Sequence, residues 1–576
     1  MKFNFRGGAV SLILLIFTAF TASNLYGQTV AGRVEKRTTQ AAGTNRLVTA
    51  EEIELDISEA LAVIEQNYVS GRSLNYNDVF KSAIDGMLHT LDPHSNYFDP
   101  KEFEQFRTDQ SSRYFGIGAT IGDLTGPDGK IIATFIRATF EGAPANRAGL
   151  RYGDKIVEVN GANVLGKPFP EVRNMLRGPR GTVVKIVIER YGTSAREAIE
   201  IVRDAVPQPS IPEAYMIRPG VGYIAMTGGF NQTTYAEFSE AMRRLKAQGM
   251  KELILDLKNN GGGLVSQAYR VANTFLDAGQ IVFTQIGRLD GTTETYRADN
   301  PNPEKIPLVV LVNRNSASAS EILAGALQDH DRALIVGENT FGKGLVQNPF
   351  VLDGGSMLLL TIAKYQTPSG RLIQRDYSNG NLYDYYTNGG IGSDDEPIQP
   401  KGPESKTDAG RSVFSGGGIN PDVFIKADTI TAEQARQQLR LANPIFHFAM
   451  DLAYGKVPGF EAYKVDRPIR FGYDIKPTDY PITDALFNEF KRFADAKYKI
   501  PASSVEKERK FVERSLRSEL ITAAYGTTSS FQVFNEYDTQ IAKAIELLPK
   551  AKALLAESIR ARAKTAASQL TGRGNK

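Results

Sequence analysis

Between residues 222 and 337, short runs of aliphatic and β-branched residues alternate with stretches of helical period, and this alternation constrains the fold more than any other feature of the chain. Strand character falls on 222–227, 252–257, 308–313 and 333–337, and helical character on 233–248, 264–276 and 320–329. Strands and helices taken in turn imply an α/β layer. Where such a strand runs through a turn into a helix, unpaired backbone N–H groups face outward, and an anion or a developing oxyanion is well held there.

The remainder of the 576 residues is arranged around that layer, and a soft prior of roughly 150 residues per domain predicts two to four domains. Residues 114–206 are a mainly β module of short runs broken by glycine, among them 130–137 and 183–190. Ahead of it, Ile53, Ile57, Leu61, Ile64 and Tyr68 fall at helical spacing. A second helix over 76–91 stops at Asp92-Pro93-His94-Ser95, where proline disfavours continuation, and the two read as a small helical cap. Residues 375–418 are rich in Gly, Asn, Asp, Ser and Tyr without periodicity, and read as a long surface insertion that either covers something or protrudes. Beyond Asp422 helical patterns dominate to the basic, Ala-rich end.

The N-terminus has the layout of an export signal: Lys2 and Arg6, an apolar run over 9–22, then small and polar residues over 23–28. That run is shorter than the ~20 residues that span a bilayer comfortably, which favours cleavage, plausibly after Gly27, over a retained anchor. Leu25 is large for its place before such a cut. The expected location is exported, in the periplasm or cell envelope, with membrane association only through an uncleaved signal. The chain has no cysteine, which excludes disulfides, a lipidated cysteine and thiolate chemistry together. A net charge of +3 with acids and bases nearly balanced offers no field for nucleic acid.

Three turns of the α/β region carry chemistry. Asp256-Leu257-Lys258-Asn259-Asn260-Gly261-Gly262-Gly263-Leu264 leads from a strand through glycines into a helix; the plain alternative is a flexible connection. Asn313-Arg314-Asn315-Ser316-Ala317-Ser318-Ala319-Ser320-Glu321-Ile322 sets a hydroxyl at the positive end of a helix dipole, where a nucleophile gains most. Ser318-x-x-Glu321 also matches a capping box, which needs no catalytic role. Gly337 to Gln347 nearly spells a phosphate-binding loop, but Gly344 stands where Ser or Thr would hold magnesium, and a strand-like run follows. Lys343 and Gln347 lie four apart, on one face of either strand or helix. No G-x-S-x-G elbow occurs, and the four histidines are His89, His94, His330 and His447. His330, ending a helix, suits a dipole contact better than the role of a base. Without cysteine or a HExxH pairing, neither a metal nor a cofactor is expected.

The run Ala148-Gly149-Leu150 through Gly153-Asp154-Lys155-Ile156 to Val159-Asn160-Gly161 resembles a PDZ domain. In PDZ domains a Gly-rich loop donates amides to a peptide's C-terminal carboxylate while the peptide adds a strand to the sheet edge. Here that loop resembles Tyr114-Phe115-Gly116-Ile117-Gly118, so Phe115, Gly116, Ile117 and Gly118 are the implied peptide-binding residues. The wider pattern resembles the C-terminal processing peptidases, or tail-specific proteases. It includes Leu91 to Tyr97, the PDZ stretch, Gly261 to Gly263, Ser316 to Ile322, Thr340 to Gly344 with Gln347, Thr367 to Arg371, and Gly418 to Asp422.

That resemblance implies a multidomain α/β protein: a helical cap, a PDZ-like β module, a ClpP/crotonase-like α/β protease core and a helical C-terminal extension. It also implies a serine endopeptidase with Ser318 as nucleophile, Lys343 as general base and Gln347 positioning it. The amides of Ala319 and Gly262 would form the oxyanion hole, although Gly261 stands where the family has proline, which leaves the choice of glycine amide open. A lysine base must be neutral, so its ordinary pKa of ~10.4 has to be lowered, and Phe341, Leu345 and Val346 are candidate apolar walls.

The expected layout is a signal peptide (1–27), linker (28–50), helical cap (51–112), PDZ domain (113–206), protease core (207–428, with the 375–418 insertion) and helical extension (429–576). The expected partners are proteins or peptides with flexible C-terminal tails, not nucleic acid. An adaptor and a homo-oligomer are both compatible with the sequence. The rival readings are a non-catalytic PDZ scaffold, whose Ser318 is only a helix cap, and a nucleotide-binding enzyme.

Overall fold

The structure, a computed structural model, describes residues 48–573 apart from 71–72, 112, 290, 379–384, 387–401 and 466–467. The signal-like N-terminus lies outside the described residues. The chain forms two units that meet in sequence at Tyr76 and Asn77. The first contains the helix Ala50–Asn67, started by a capping box: Thr49 Oγ1 accepts from Glu52 N–H at 3.3 Å and Glu52 Oε2 from Thr49 N–H at 3.0 Å. The second predicted cap helix, Tyr76–His89, leads the other unit, so the two cap helices fall on opposite sides of this division.

The central sheet of the second unit runs in the order Glu213–Arg218, Val221–Ala225, Glu252–Asp256, Leu308–Val312, Leu334–Gly337, Val423–Phe424. Its first pair is antiparallel and every later pair parallel. Parallel neighbours need crossovers, and Thr234–Ala247, Val265–Asn273 and Ala319–Asp329 lie in them. Val221–Ala225 and Leu308–Val312 are buried along their whole length, as in a sheet covered on both faces. Phe238, Leu245, Val271, Phe275, Leu323 and Leu327 belong to the core on one side. Ile541, Ala544, Leu548, Ala551 and Leu554, on the C-terminal helix Thr539–Arg573, pack against the other.

A second sheet, not foreseen from periodicity, orders Asn96–Phe98, Met357–Gln366, Ile281–Gly287 and Glu294–Arg297, with Leu345–Val351 also paired to Met357–Gln366. It ties the Asp92-Pro93-His94-Ser95 turn to the core, because Asn96–Phe98 pairs in register with Leu359, Leu358 and Met357. A strand therefore follows Lys343, where a phosphate-binding loop would have a helix.

The β module orders Ala119–Thr125, Ile131–Thr139, Lys155–Val159, Val183–Glu189 and Arg196–Val202, all antiparallel, with the helices Pro144–Arg147 and Phe169–Leu176 beside them. Ile136, Leu150, Ile156, Val159, Val172 and Ile186 form its own core. Ala119–Thr125 is an edge strand, and a groove of ≈190 Å³ lies between it and Phe169–Leu176. An edge strand beside a groove can accept an added strand.

The C-terminal extension does more than cover the sheet. Its helices Ala432–Ala453, Asp484–Tyr498 and Arg509–Tyr525 share one apolar core with Leu124, Ala133, Phe135 and Tyr152 of the β module. Polar contacts seal that seam. The buried Tyr152 hydroxyl donates to Glu519 Oε2 at 2.8 Å, Arg137 pairs with Glu519 and lies 3.6 Å over the Phe446 ring, and Asn443 Nδ2 donates to Thr125 Oγ1 at 2.6 Å. Replacing Glu519 by Ala strands both the tyrosine hydroxyl and the guanidinium, so the variant is expected to lose about 2 kcal/mol. A urea midpoint equal to that of the parent protein would show that this seam adds nothing.

Candidate active site

The serine run divides its work. Ser316 Oγ donates to the Leu257 carbonyl at 2.8 Å and accepts from Asn313 N–H at 2.9 Å, and Ser320 Oγ donates to the Asn260 carbonyl at 2.9 Å. Both outer serines are fully buried and pin the loop onto the Leu257–Asn260 turn. Ser318, between them, is half-buried and takes φ 57° and ψ −115° at the N-cap of Ala319–Asp329. Non-glycine residues seldom occupy this region, and it persists only where neighbours impose it. Strain there holds the hydroxyl at the positive end of the helix.

Serine and Glu321 face each other in capping-box geometry, as the spacing predicts. The Glu321 N–H donates to the Ser318 carbonyl at 2.8 Å, and the Ser318 hydroxyl makes no side-chain cap hydrogen bond. Glu321 has a second role that the capping box hides. Its fully buried carboxylate accepts from Ser318 N–H (2.9 Å) and Lys343 N–H (2.8 Å) on Oε2, and from Gly342 N–H (2.7 Å) and the Thr340 hydroxyl (2.5 Å) on Oε1. Thr340 Oγ1 in turn accepts from Ile419 N–H at 2.6 Å. One carboxylate therefore joins the serine loop to the lysine loop, and the Gly418-Ile419 segment is tied to it through Thr340. Burial pushes its pKa up, while the four donors act in the opposite direction.

Lys343 is half-buried, and its amine donates to Gln347 Oε1 at 2.8 Å. Gln347 Nε2 donates to the His94 carbonyl at 2.5 Å, so the Asp92-to-Tyr97 turn reaches the lysine through the glutamine. Desolvation lowers the lysine pKa, and the charges of Asp92 and Glu321 work against that lowering. Burial, with the nearby Lys343 charge, pulls His94 down to about 3, so its ring is neutral across the working range. Among the described residues the Lys343 amine and the Ser318 hydroxyl are not hydrogen bonded to each other.

Gly262 lies against this pair. A Cβ there would come within 2.8 Å of the Ala317 carbonyl oxygen and of Ser318 Cβ, and 3.0 Å from the Ala319 nitrogen, at a φ of +100°. Only glycine fits. Its own N–H already donates to Asn260 Oδ1 at 2.9 Å, so of the two expected oxyanion donors Ala319 N–H, at the first turn of its helix, is the better placed. His330, at the C-cap of that helix, bonds Asp408 Oδ2 and the Ile281 carbonyl. Among the described residues no cluster of three or more His, Asp or Glu could hold a metal ion.

In the β module, Gly116 and Ile117 line the groove together with Ala119, Ile121, Arg173 and Arg177. Gly118 has φ +74°, and a Cβ on it would meet that of Ala143 at 2.3 Å. Ala145 N–H donates to the Ile117 carbonyl at 2.7 Å and Phe140 N–H to that of Gly118 at 3.1 Å, so the carbonyls of the loop are tied into the module. Phe115 sits in the paired strand Arg113–Gly116, opposite Ala205 and partly exposed.

The model of peptidase family S41 matches residues 220–384, and that of the PDZ domain residues 136–190. Over 317 residues the chain is 36% identical to the carboxyl-terminal-processing protease of Synechocystis sp., covering 54% of this chain and 72% of that one. This chain belongs to the carboxyl-terminal-processing proteases of peptidase family S41. Among its family relatives, the carboxy-terminal processing protease CtpA of Bacillus subtilis is 37% identical over 294 residues, 51% of this chain. The match spans 61% of that relative's length, less than two thirds. A similar solved structure, that of the photosystem II D1 C-terminal processing protease, is 29% identical, and the match covers 66% of this chain and 94% of that one, with a TM-score of 0.33.

Sequence reading missed Glu321 as a link between loops, and missed His94 as the holder of Gln347. The first had a visible signal, a glutamate three residues after the serine, but a cap accounts for it locally. Glu321→Gln keeps the volume and replaces one acceptor oxygen by an amide that faces donors. It is expected to lower kcat on a peptide substrate about 100-fold, the scale of an ~1 Å misplacement, with KM within about twofold. A kcat near that of the parent would show that the two loops hold their geometry without this carboxylate.

Proposed function

We propose that this chain is an exported serine endopeptidase that holds protein C-terminal tails in its PDZ groove and hydrolyses peptide bonds with Ser318 and Lys343. The observation that carries the reading is the lysine: its amine is desolvated, aimed by Gln347, and its loop shares one carboxylate with the loop of a strained serine at a helix N-terminus. A helix cap alone makes no use of such a lysine.

In this mechanism neutral Lys343 takes the Ser318 proton as Oγ attacks the scissile carbonyl. The oxyanion is met by Ala319 N–H and an amide of the Gly261-to-Gly263 turn, each donor worth about 3 kcal/mol. The lysine ammonium then protonates the leaving amine, and water, activated by the same amine, releases the acyl group from Ser318. The gap between amine and hydroxyl closes when substrate binds, since hydrogen bonds between reacting groups commonly tighten only in the complex. Gly116, Ile117 and the groove wall would receive the tail, with Arg173 and Arg177 supplying positive charge near its carboxylate. Export to the periplasm or envelope rests on the signal-like N-terminus.

Ser318→Ala and Lys343→Ala are each expected to abolish cleavage of a flexible C-terminal tag while tail binding, followed by fluorescence anisotropy, is retained. Binding with no cleavage by the unaltered protein would leave the scaffold reading standing. The pH dependence has a definite sign. Because the base must be neutral and its pKa is lowered by burial, kcat should hold steady above that pKa and fall about tenfold per unit below it. A rate that falls with rising pH through the neutral range would contradict a lysine base.

A further inference from the structure

The insertion after the Thr367-to-Arg371 motif sends two tyrosines back onto the site. Tyr385 is 3% exposed and its hydroxyl lies 2.7 Å from His94 Nε2. Gln374 Nε2 donates to that hydroxyl at 3.1 Å, and Gln374 Oε1 accepts from Gly344 N–H at 2.8 Å, next to the lysine. The Tyr386 hydroxyl donates to the Pro93 carbonyl. Both rings pack edge-on against His94, at centroid distances of 5.4 and 6.0 Å, and lie 5.7 and 6.4 Å from Phe341. Arg375 lies 4.2 Å over the other ring of the set, Phe341, while its backbone N–H donates to Gly342 at 2.8 Å and its guanidinium to the Tyr385 carbonyl at 3.0 Å. The wall that the sequence assigns to Phe341 is therefore completed from the turn before Tyr97 and from the insertion.

We propose that Tyr385 and Tyr386 are positioning residues for the catalytic base: they clamp the His94 turn, whose carbonyl holds Gln347 and so the Lys343 amine, and they wall that amine from water. The inference rests on the reading of Lys343 as the base, and it extends the site to residues that touch neither substrate nor Ser318. A continuous path carries it, Tyr385 to His94, His94 to Gln347 and Gln347 to Lys343. The direction of the lysine pKa agrees, since desolvation is its largest cause. The charged and titratable groups near the amine include Asp92 and His94 from the turn, Glu321 from the helix, and, beyond Phe341, Arg375 with Tyr377, Tyr385 and Tyr386 from the insertion.

The test follows the lysine itself. In full-length protein labelled with ¹³Cε-lysine, the Lys343 signal, assigned by its loss in Lys343→Met, is titrated in the parent, in Y385A/Y386A and in Y385F/Y386F. Letting water in should move the Lys343 midpoint up by about one unit or more in the alanine pair, toward the ordinary ~10.4. The phenylalanine pair, which keeps the rings but breaks the hydroxyl links to His94 and Pro93, should move the midpoint in the same direction by less. At neutral pH the alanine pair should lose kcat about tenfold for each unit of that shift, recover it at higher pH, and keep KM within about twofold. An alanine pair whose lysine titrates at the parent midpoint, or a loss of kcat equal at every pH, overturns the proposal, with retained tail binding certifying the fold. The base assignment fails separately, if Lys343→Ala still cleaves, whatever the titration shows.

Discussion

A carboxylate buried without a partner would be expelled or neutralised, and four donors converging on Glu321 work against that. The cost of burying it is tolerable only while both loops stay where they are, so the charge and the geometry enforce each other. The serine loop is held from below by Ser316 and Ser320, and the lysine loop from the side by Gly344 and Arg375. What remains adjustable is small: a hydroxyl rotor on one side and the end of a lysine side chain on the other.

The same carboxylate complicates the lysine. Glu321 and Asp92 favour the ammonium, while desolvation favours the amine, and desolvation prevails. The lowering therefore depends less on a repelling charge than on keeping water from the amine. Aromatic rings gather beside the turn that holds Gln347. His94, with its ring kept neutral by burial, contributes bulk and a backbone carbonyl without adding a competing charge.

Much of the core was legible from the sequence because its strands are buried on both faces and read as unbroken apolar runs. The helix expected over 320–329 is Ala319–Asp329, and the strand expected over 308–313 is Leu308–Val312. The strand run after Gly344, used against a nucleotide site, is Leu345–Val351. The second sheet is not legible from spacing because its strands are partly exposed and far apart in the chain, and two of them, Glu294–Arg297 and Asn96–Phe98, are short. Spacing in sequence reveals contacts at three or four residues, as for Lys343 and Gln347. It says nothing of a glutamine held by a carbonyl 253 residues earlier, or of a tyrosine 291 residues beyond the histidine it meets.

The C-terminal extension shares a core with the PDZ module through Phe446 and Tyr152 and, further along, lies across the central sheet through Ile541 and Leu548. The PDZ module and the α/β layer are thus spliced by a third body. Any swing of the module would have to peel apart an apolar seam, and inverting a 1:99 equilibrium between two such poses takes about 5.5 kcal/mol of differential affinity. A short tail filling a small groove is a weak lever for that. A partner seated across the splice would have a longer arm.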